Sequence, residues 1–149
     1  MNLRHYLLRL WNLWPPFLFS GISIKVLSKD YRHIRTTLKL RFYSANYLGT
    51  QYGGSLFSMA DPVYMIMLIK NLGPNYVVWD KEATIRFLKP DRSHVTAEFH
   101  LTEEDLAHIR TTVEEEGRLL WMRTILIKDT HNDPIAEVTK TISIKKKIS

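Results

Sequence analysis

Cysteine does not occur in the 149 residues, and its absence removes disulfides, thiolate metal sites and a cysteine nucleophile together. Thiol chemistry thus gives no clue to compartment, and a cytoplasmic enzyme is the simpler expectation. No apolar run is long enough to span a bilayer without interruption. The basic and apolar start does not read as a signal peptide, because Arg9, Asn12 and Pro15-Pro16 interrupt it and no A-x-A site follows. The six histidines show no HxxxH or HxxH spacing on a helix and no accompanying carboxylate cluster, so no metal and no resident cofactor are expected. A G-x-S-x-G elbow, a phosphate-loop lysine, zinc-finger spacing, an RNA-binding aromatic signature and a clear helix-turn-helix are all missing too. Nucleic acid is therefore not an expected partner, despite a formal charge of +6.

What is present is concentrated in one stretch, from Asn46 to Leu72. It opens with a loop carrying Gly49, Gly53 and Gly54 and continues into Ser55–Leu72, which is apolar nearly all the way round. Such a helix must be buried. Gly53-Gly54 lets the backbone turn tightly at its start, and Gly73-Pro74 ends it, giving a central helix over 53–72. Ser55, Ser58 and Asp61 recur every three positions and form a polar stripe along this rod. Pro62 requires either a kink or a restart, since it has no N–H for the carbonyl four residues back. In a restart, Asp61 is an N-cap with proline at the first helical position, a purely structural role. The other reading starts from the cost of burying a carboxylate, which raises its pKa and suits it to act as general base or nucleophile. Free N–H groups at the helix opening would then polarise a carbonyl beside it.

The run Asn46, Gly49, Gly53-Gly54 and Met59-Ala60-Asp61 resembles the signature of hot-dog-fold thioesterases of the phenylacetate-pathway type. W-P-P near the start, G-T-Q-Y-G-G-S-L-F-S-M-A-D-P and V-V-W-D-K-E-A-T-I-R-F-L-K-P are similar to the hot-dog family DUF4442, which carries the label of a tetrameric acyl-CoA thioesterase. The resemblance covers nearly the whole chain. It implies that Asp61 activates water or attacks the thioester, that the Gly54 amide supports the oxyanion and that Asn46 orients the acid or the water. Tyr52, Gly53 and Ser58 would line the substrate, with Tyr52 standing where the family motif has histidine. It also implies a homodimer, or a tetramer built as a dimer of dimers.

Read in order, the chain is one domain of 1–149, with 45% hydrophobic and 24% charged residues as in an ordinary globular protein. Met1 to Trp14 carries Leu3, Leu7, Leu10 and Trp14 at helical spacing, and Pro15-Pro16 ends this N-terminal helix at residue 16. Packing on its own domain is the expected role. Contact with a membrane surface is the rival, since Trp, Leu and Arg suit an interfacial helix. Period-two alternation then marks strands at Ile22–Val26, Ile34–Phe42, Trp79–Leu88, Val95–Phe99, Arg118–Lys128 and Ile135–Ile144. Ser28-Lys29-Asp30 turns the first pair into a hairpin. Thr102 followed by three acids caps a short helix that Gly117 closes. The expectation is an α+β hot-dog fold, an antiparallel sheet of about six strands around the central helix.

The basic surplus is uneven: residues 1–41 hold eight Lys or Arg against Asp30 alone. It suits an anionic partner such as the phosphates of coenzyme A. The function that the residues and the resemblance together imply is hydrolysis of an acyl-CoA thioester to a carboxylic acid and free thiol. A protein that binds an acyl chain or acyl thioester without turnover is the alternative.

Overall fold

The computed structural model describes residues 10–148. Helix α1 spans Pro15–Ser20, and strands β1 and β2 span Ile22–Val26 and His33–Leu38. Helices α2 and α3 span Gly53–Ala60 and Val63–Leu72, followed by β3 at Tyr76–Phe87 and β4 at Val95–His100. Helix α4 at Glu103–Glu116 precedes β5 at Arg118–Lys128 and β6 at Pro134–Lys146. The strands form one antiparallel sheet in the order β1-β2-β4-β5-β6-β3. Consequently β1 and the much longer β3 are its edges.

Alternation decides which side chains face the helices. In β2, Ile34, Thr36 and Leu38 are buried; in β4, Val95, Ala97 and Phe99 are; in β6, Ile135 stands at the start of a buried set that continues with Ala136, Val138, Lys140, Ile142 and Ile144. These residues meet Leu56, Met59, Ala60, Val63, Tyr64, Met67 and Leu68 of α2 and α3 in a single core. The Tyr64 ring packs edge-on against Phe99 and Trp121. Helix α4 adds Leu106, Ile109 and Val113 to this core from the other end of its amphipathic wheel. Its start is a capping box, with Thr102 Oγ1 accepting from the Asp105 N–H at 3.1 Å and Asp105 Oδ2 from the Thr102 N–H at 3.0 Å. Gly117 ends it in the left-handed region, φ 76°.

Four sequence expectations change. The central helix is two helices, because Pro62 interrupts the hydrogen-bond ladder between them. The prolines Pro15 and Pro16 do not end a helix. They occupy the first turn of α1, where a missing N–H costs nothing. Strand β2 stops at Leu38, and Phe42, expected at an inward position, is 95% exposed in the loop beyond. β3 and β6 run longer than their periodicity, starting at Tyr76 and ending at Lys146, because each pairs with the other along its length. The N-terminal helix lies mostly outside the described residues; of its stripe, Leu10 and Trp14 are exposed, while Trp11 packs against the core.

Candidate functional site

The break between α2 and α3 creates the site. Through Asp61 the backbone stays in the right-handed helical region, φ −58° and ψ −57°, and Pro62 follows at φ −85° and ψ −10°. The result is a kink. Asp61 is the C-terminal cap of α2, its N–H donating to the Phe57 carbonyl at 3.1 Å, and its side chain caps nothing at the start of α3. The proline has no N–H for the Ser58 carbonyl. Ser58 Oγ donates to the Gly54 carbonyl at 2.8 Å, a back-bond that itself bends helices.

The kink also leaves the Asp61 carbonyl without a helical donor among the described residues. Lys140 supplies one. Its ammonium donates to the Asp61 carbonyl at 2.8 Å and to Asp61 Oδ1 at 2.7 Å, and lies 3.1 Å from Asp80 Oδ1. The Lys140 side chain is 1% exposed, Asp80 27% and Asp61 47%. A buried cation thus holds two carboxylates that open progressively to solvent. Burying a lone ammonium is prohibitive, and two acids offset that cost. Desolvation is the main force on Asp80 and pushes its carboxyl above the usual carboxylate range; Lys140 pulls the other way and Asp61 adds to the push. Asp80 sits where β3 carries a bulge, between Asp80 and Glu82, which changes which residues of this edge strand face inward.

The sequence pattern singles out Asp61 but not Lys140 or Asp80, which the fold brings against it. A signal for Lys140 was there: it falls in the same alternating set as Val138 and Ile142, at a position where a cation demands a partner. Nothing in the sequence pairs it with residues on α2 and β3.

The loop before α2 is built by its own polar groups. Asn46 Oδ1 accepts from the Leu48 and Thr50 N–H groups, both at 3.0 Å, while its Nδ2 donates to Thr50 Oγ1 at 2.7 Å. The amide of Asn46 is thus engaged within the loop. Gly49 stands at φ 74°, where a side chain would be strained. Buried Gln51 ties the loop to the sheet end, donating to the Ser93 carbonyl at 2.8 Å.

Gly53 and Gly54 begin α2 with ordinary helical backbone and not with the tight turn expected of them; what they give instead is room for two neighbouring rings. A Cβ on Gly54 would lie 2.6 Å from the Tyr52 ring, and one on Gly53 2.9 Å from the ring of Phe87. The first turn is closed by Ser55 and Leu56 donating to the Tyr52 carbonyl at 3.0 and 3.1 Å. The Gly53 and Gly54 N–H groups stand ahead of that turn, where a helix has donors to spare. Tyr52 is exposed, and its ring lies against Gly54.

A six-stranded antiparallel sheet laid around a central, kinked helix is the hot-dog fold, and solved structures with it are similar to this chain over most of their length. A protein of unknown function from Pseudomonas aeruginosa, described as a probable thioesterase, superposes with a TM-score of 0.82 at 20% identity, with 96% of each chain covered. A thioesterase from Haemophilus influenzae gives 0.67 at 18% identity, covering 95% of this chain and 90% of its own. A Streptococcus mutans protein bound to acetyl-CoA gives 0.60 at 16% identity, covering 85% and 92%. Among curated proteins, none matches the chain. Residues 5–144 match the model of the domain of unknown function DUF4442, and the chain belongs to that family.

Proposed function

We propose that the protein is an acyl-CoA thioesterase in which Asp61 serves as general base or nucleophile. The observation that carries this reading is the placement of Asp61: a carboxylate at a helix kink, half open to solvent and fixed from beneath by a buried ammonium. That arrangement holds the reactive oxygen still without burying it. In the base form of the reaction, Asp61 takes a proton from water as the water oxygen bonds to the thioester carbonyl carbon. The C–S bond then breaks, the sulfur leaves as thiolate and gains a proton from solvent, and Asp61 returns its own proton to solvent. The Gly54 amide, at the start of the same helix pair, is the donor assigned to the oxyanion. Tyr52, Gly53 and Ser58 are assigned to the substrate, although the Ser58 hydroxyl is engaged with its own helix. Similarity to thioesterases and to a protein holding acetyl-CoA supports the substrate class.

Thiol release from a panel of acyl-CoA esters tests this. Turnover of at least one ester above the buffer rate is expected. Tight binding with no thiol released across the panel would instead favour the acyl-binding alternative.

The same reading places two chains side by side. Strand β3, of 12 residues, pairs with β6 on one side only, and a long open edge of this kind invites a second strand. Asp80 lies on it, so the site borders that edge. A homodimer, or a pair of dimers, is expected in sedimentation at micromolar concentration; a lone monomer throughout that range would remove this part of the proposal. No described helix is long and apolar enough to cross a membrane.

A further inference from the structure

On the opposite face of the sheet from Asp61, strand register brings together three groups that the spacing of histidines in the sequence did not suggest. His33 of β2 and His100 of β4 are direct cross-strand partners, and Glu98 lies two residues before His100 on the same strand. Their neighbours Ile34 and Phe99 point into the core and are 1% and 0% exposed, so alternation sends all three outward. The two imidazoles stack, with ring centroids 4.1 Å apart and planes 27° from parallel. Both present Nε2 to one atom: Glu98 Oε2 contacts His33 Nε2 and lies 3.6 Å from His100 Nε2. The three ligand atoms lie within 4.8 Å of one another.

We propose that His33, Glu98 and His100 form a binding site for a divalent transition-metal ion, zinc above all. Two imidazole nitrogens and one carboxylate oxygen are a donor set that zinc takes with solvent in its fourth position. The ligands of such a site sit about 2.0 to 2.2 Å from the metal, hence roughly 3.4 Å from one another. The three atoms, within 4.8 Å of one another, are already close to that spacing. A divalent ion between the rings would take one lone pair from each Nε2 and one from the carboxylate.

The support around the cluster matches what a metal site needs. Arg35 Nε donates to the other carboxylate oxygen, Glu98 Oε1, at 2.6 Å, which turns Oε2 toward the imidazoles. Tyr64 Oη donates to the His100 carbonyl at 3.3 Å and fixes the end of β4. His33 also borders an open cleft of about 430 Å³ whose wall carries Asp30, Glu103 and Glu104, the first two paired with Arg32 of the same wall.

The test is zinc titration of the full chain at neutral pH against a chromophoric chelator, repeated with cobalt(II) to read coordination from its visible bands. One zinc per chain is expected, with the intense cobalt spectrum of a four-coordinate site. His33→Ala and His100→Ala should each weaken binding at least tenfold. Arg35→Met should weaken it about tenfold through its hold on Glu98. His108→Ala, which changes an exposed histidine on α4, should leave it unaltered. All four positions are on the surface, and circular dichroism checks that each variant is folded. Zinc affinity equal in wild type and His33→Ala overturns the proposal, as does an equal loss in His108→Ala, which would mean diffuse surface binding.

Discussion

Asp61→Asn is expected to lower single-turnover hydrolysis of a medium-chain acyl-CoA by about a hundredfold or more, the usual scale for loss of a general base. Asparagine keeps the size of the side chain, and its carbonyl oxygen still accepts from Lys140, so folding should survive. It cannot take a proton from water or attack a thioester as a carboxylate does. Substrate binding should therefore persist while turnover falls, which separates this residue from one that merely holds the acyl chain. Thermal melting and acyl-CoA binding measured beside the rate keep the result interpretable. Equal rates in wild type and variant would rule out the assignment of Asp61. A rate loss accompanied by an equal loss of binding would point to damage of the pocket and not of the chemistry.

Lys140→Met should have the largest effect on stability. Methionine fills a similar volume, but it leaves Asp61 and Asp80 facing one another without the cation between them, and it leaves the Asp61 carbonyl at the kink without a donor. Removing one partner of a buried ionic group costs roughly 3 to 5 kcal/mol; with solvent reaching Asp61, about 3 kcal/mol is expected here. For a chain of this size that corresponds to a fall in Tm of roughly 10 °C. The loss has a direction in pH. Burial and Asp61 already push the Asp80 carboxyl up, and Lys140 is what opposes them. Without it the folded-state pKa rises further above the unfolded one. Stability is then retained at acid pH, where the group is protonated in both states, and declines as pH climbs through the folded value. The variant should melt closest to wild type near pH 4 and furthest from it near pH 8. Asp80→Asn added to Lys140→Met should recover part of the deficit, because one of the two facing charges is gone. A Tm difference that is the same at both pH values would show that packing, not charge, is what Lys140 contributes.

The two experiments address different levels of the same site. In the proposed reaction Asp61 acts through its carboxylate, and Lys140 holds Oδ1 of that carboxylate and the carbonyl at the kink. Since the two groups are in contact, their effects on turnover should not add: the double variant Asp61→Asn with Lys140→Met should be little slower than the slower single variant.

Much of this was legible in the residues alone. Alternation of Ile22, Ile24 and Val26, and of Arg118 through Lys128, gives strands because period two is a local property that tertiary packing only has to respect. The apolar helix around Met59 and Met67, the cap at Thr102 and the closing Gly117 are local in the same way. Asp61 also stood out locally, as the one acid on a rod that must be buried. Three things needed the tertiary structure. Pro62 breaks the central helix in two without an Asp61 cap, and Lys140 reaches the Asp61 carbonyl from β6, a contact across the fold that no spacing records. Phe42 continues the alternation of β2 but finds no core there, because the chain has already turned into the loop. His33, Glu98 and His100 share no sequence motif, and only the register of β2 against β4 decides that their nitrogens and oxygen converge. Propensity and periodicity act over a few residues, whereas a charged cluster is assembled by whichever strands the core happens to place side by side.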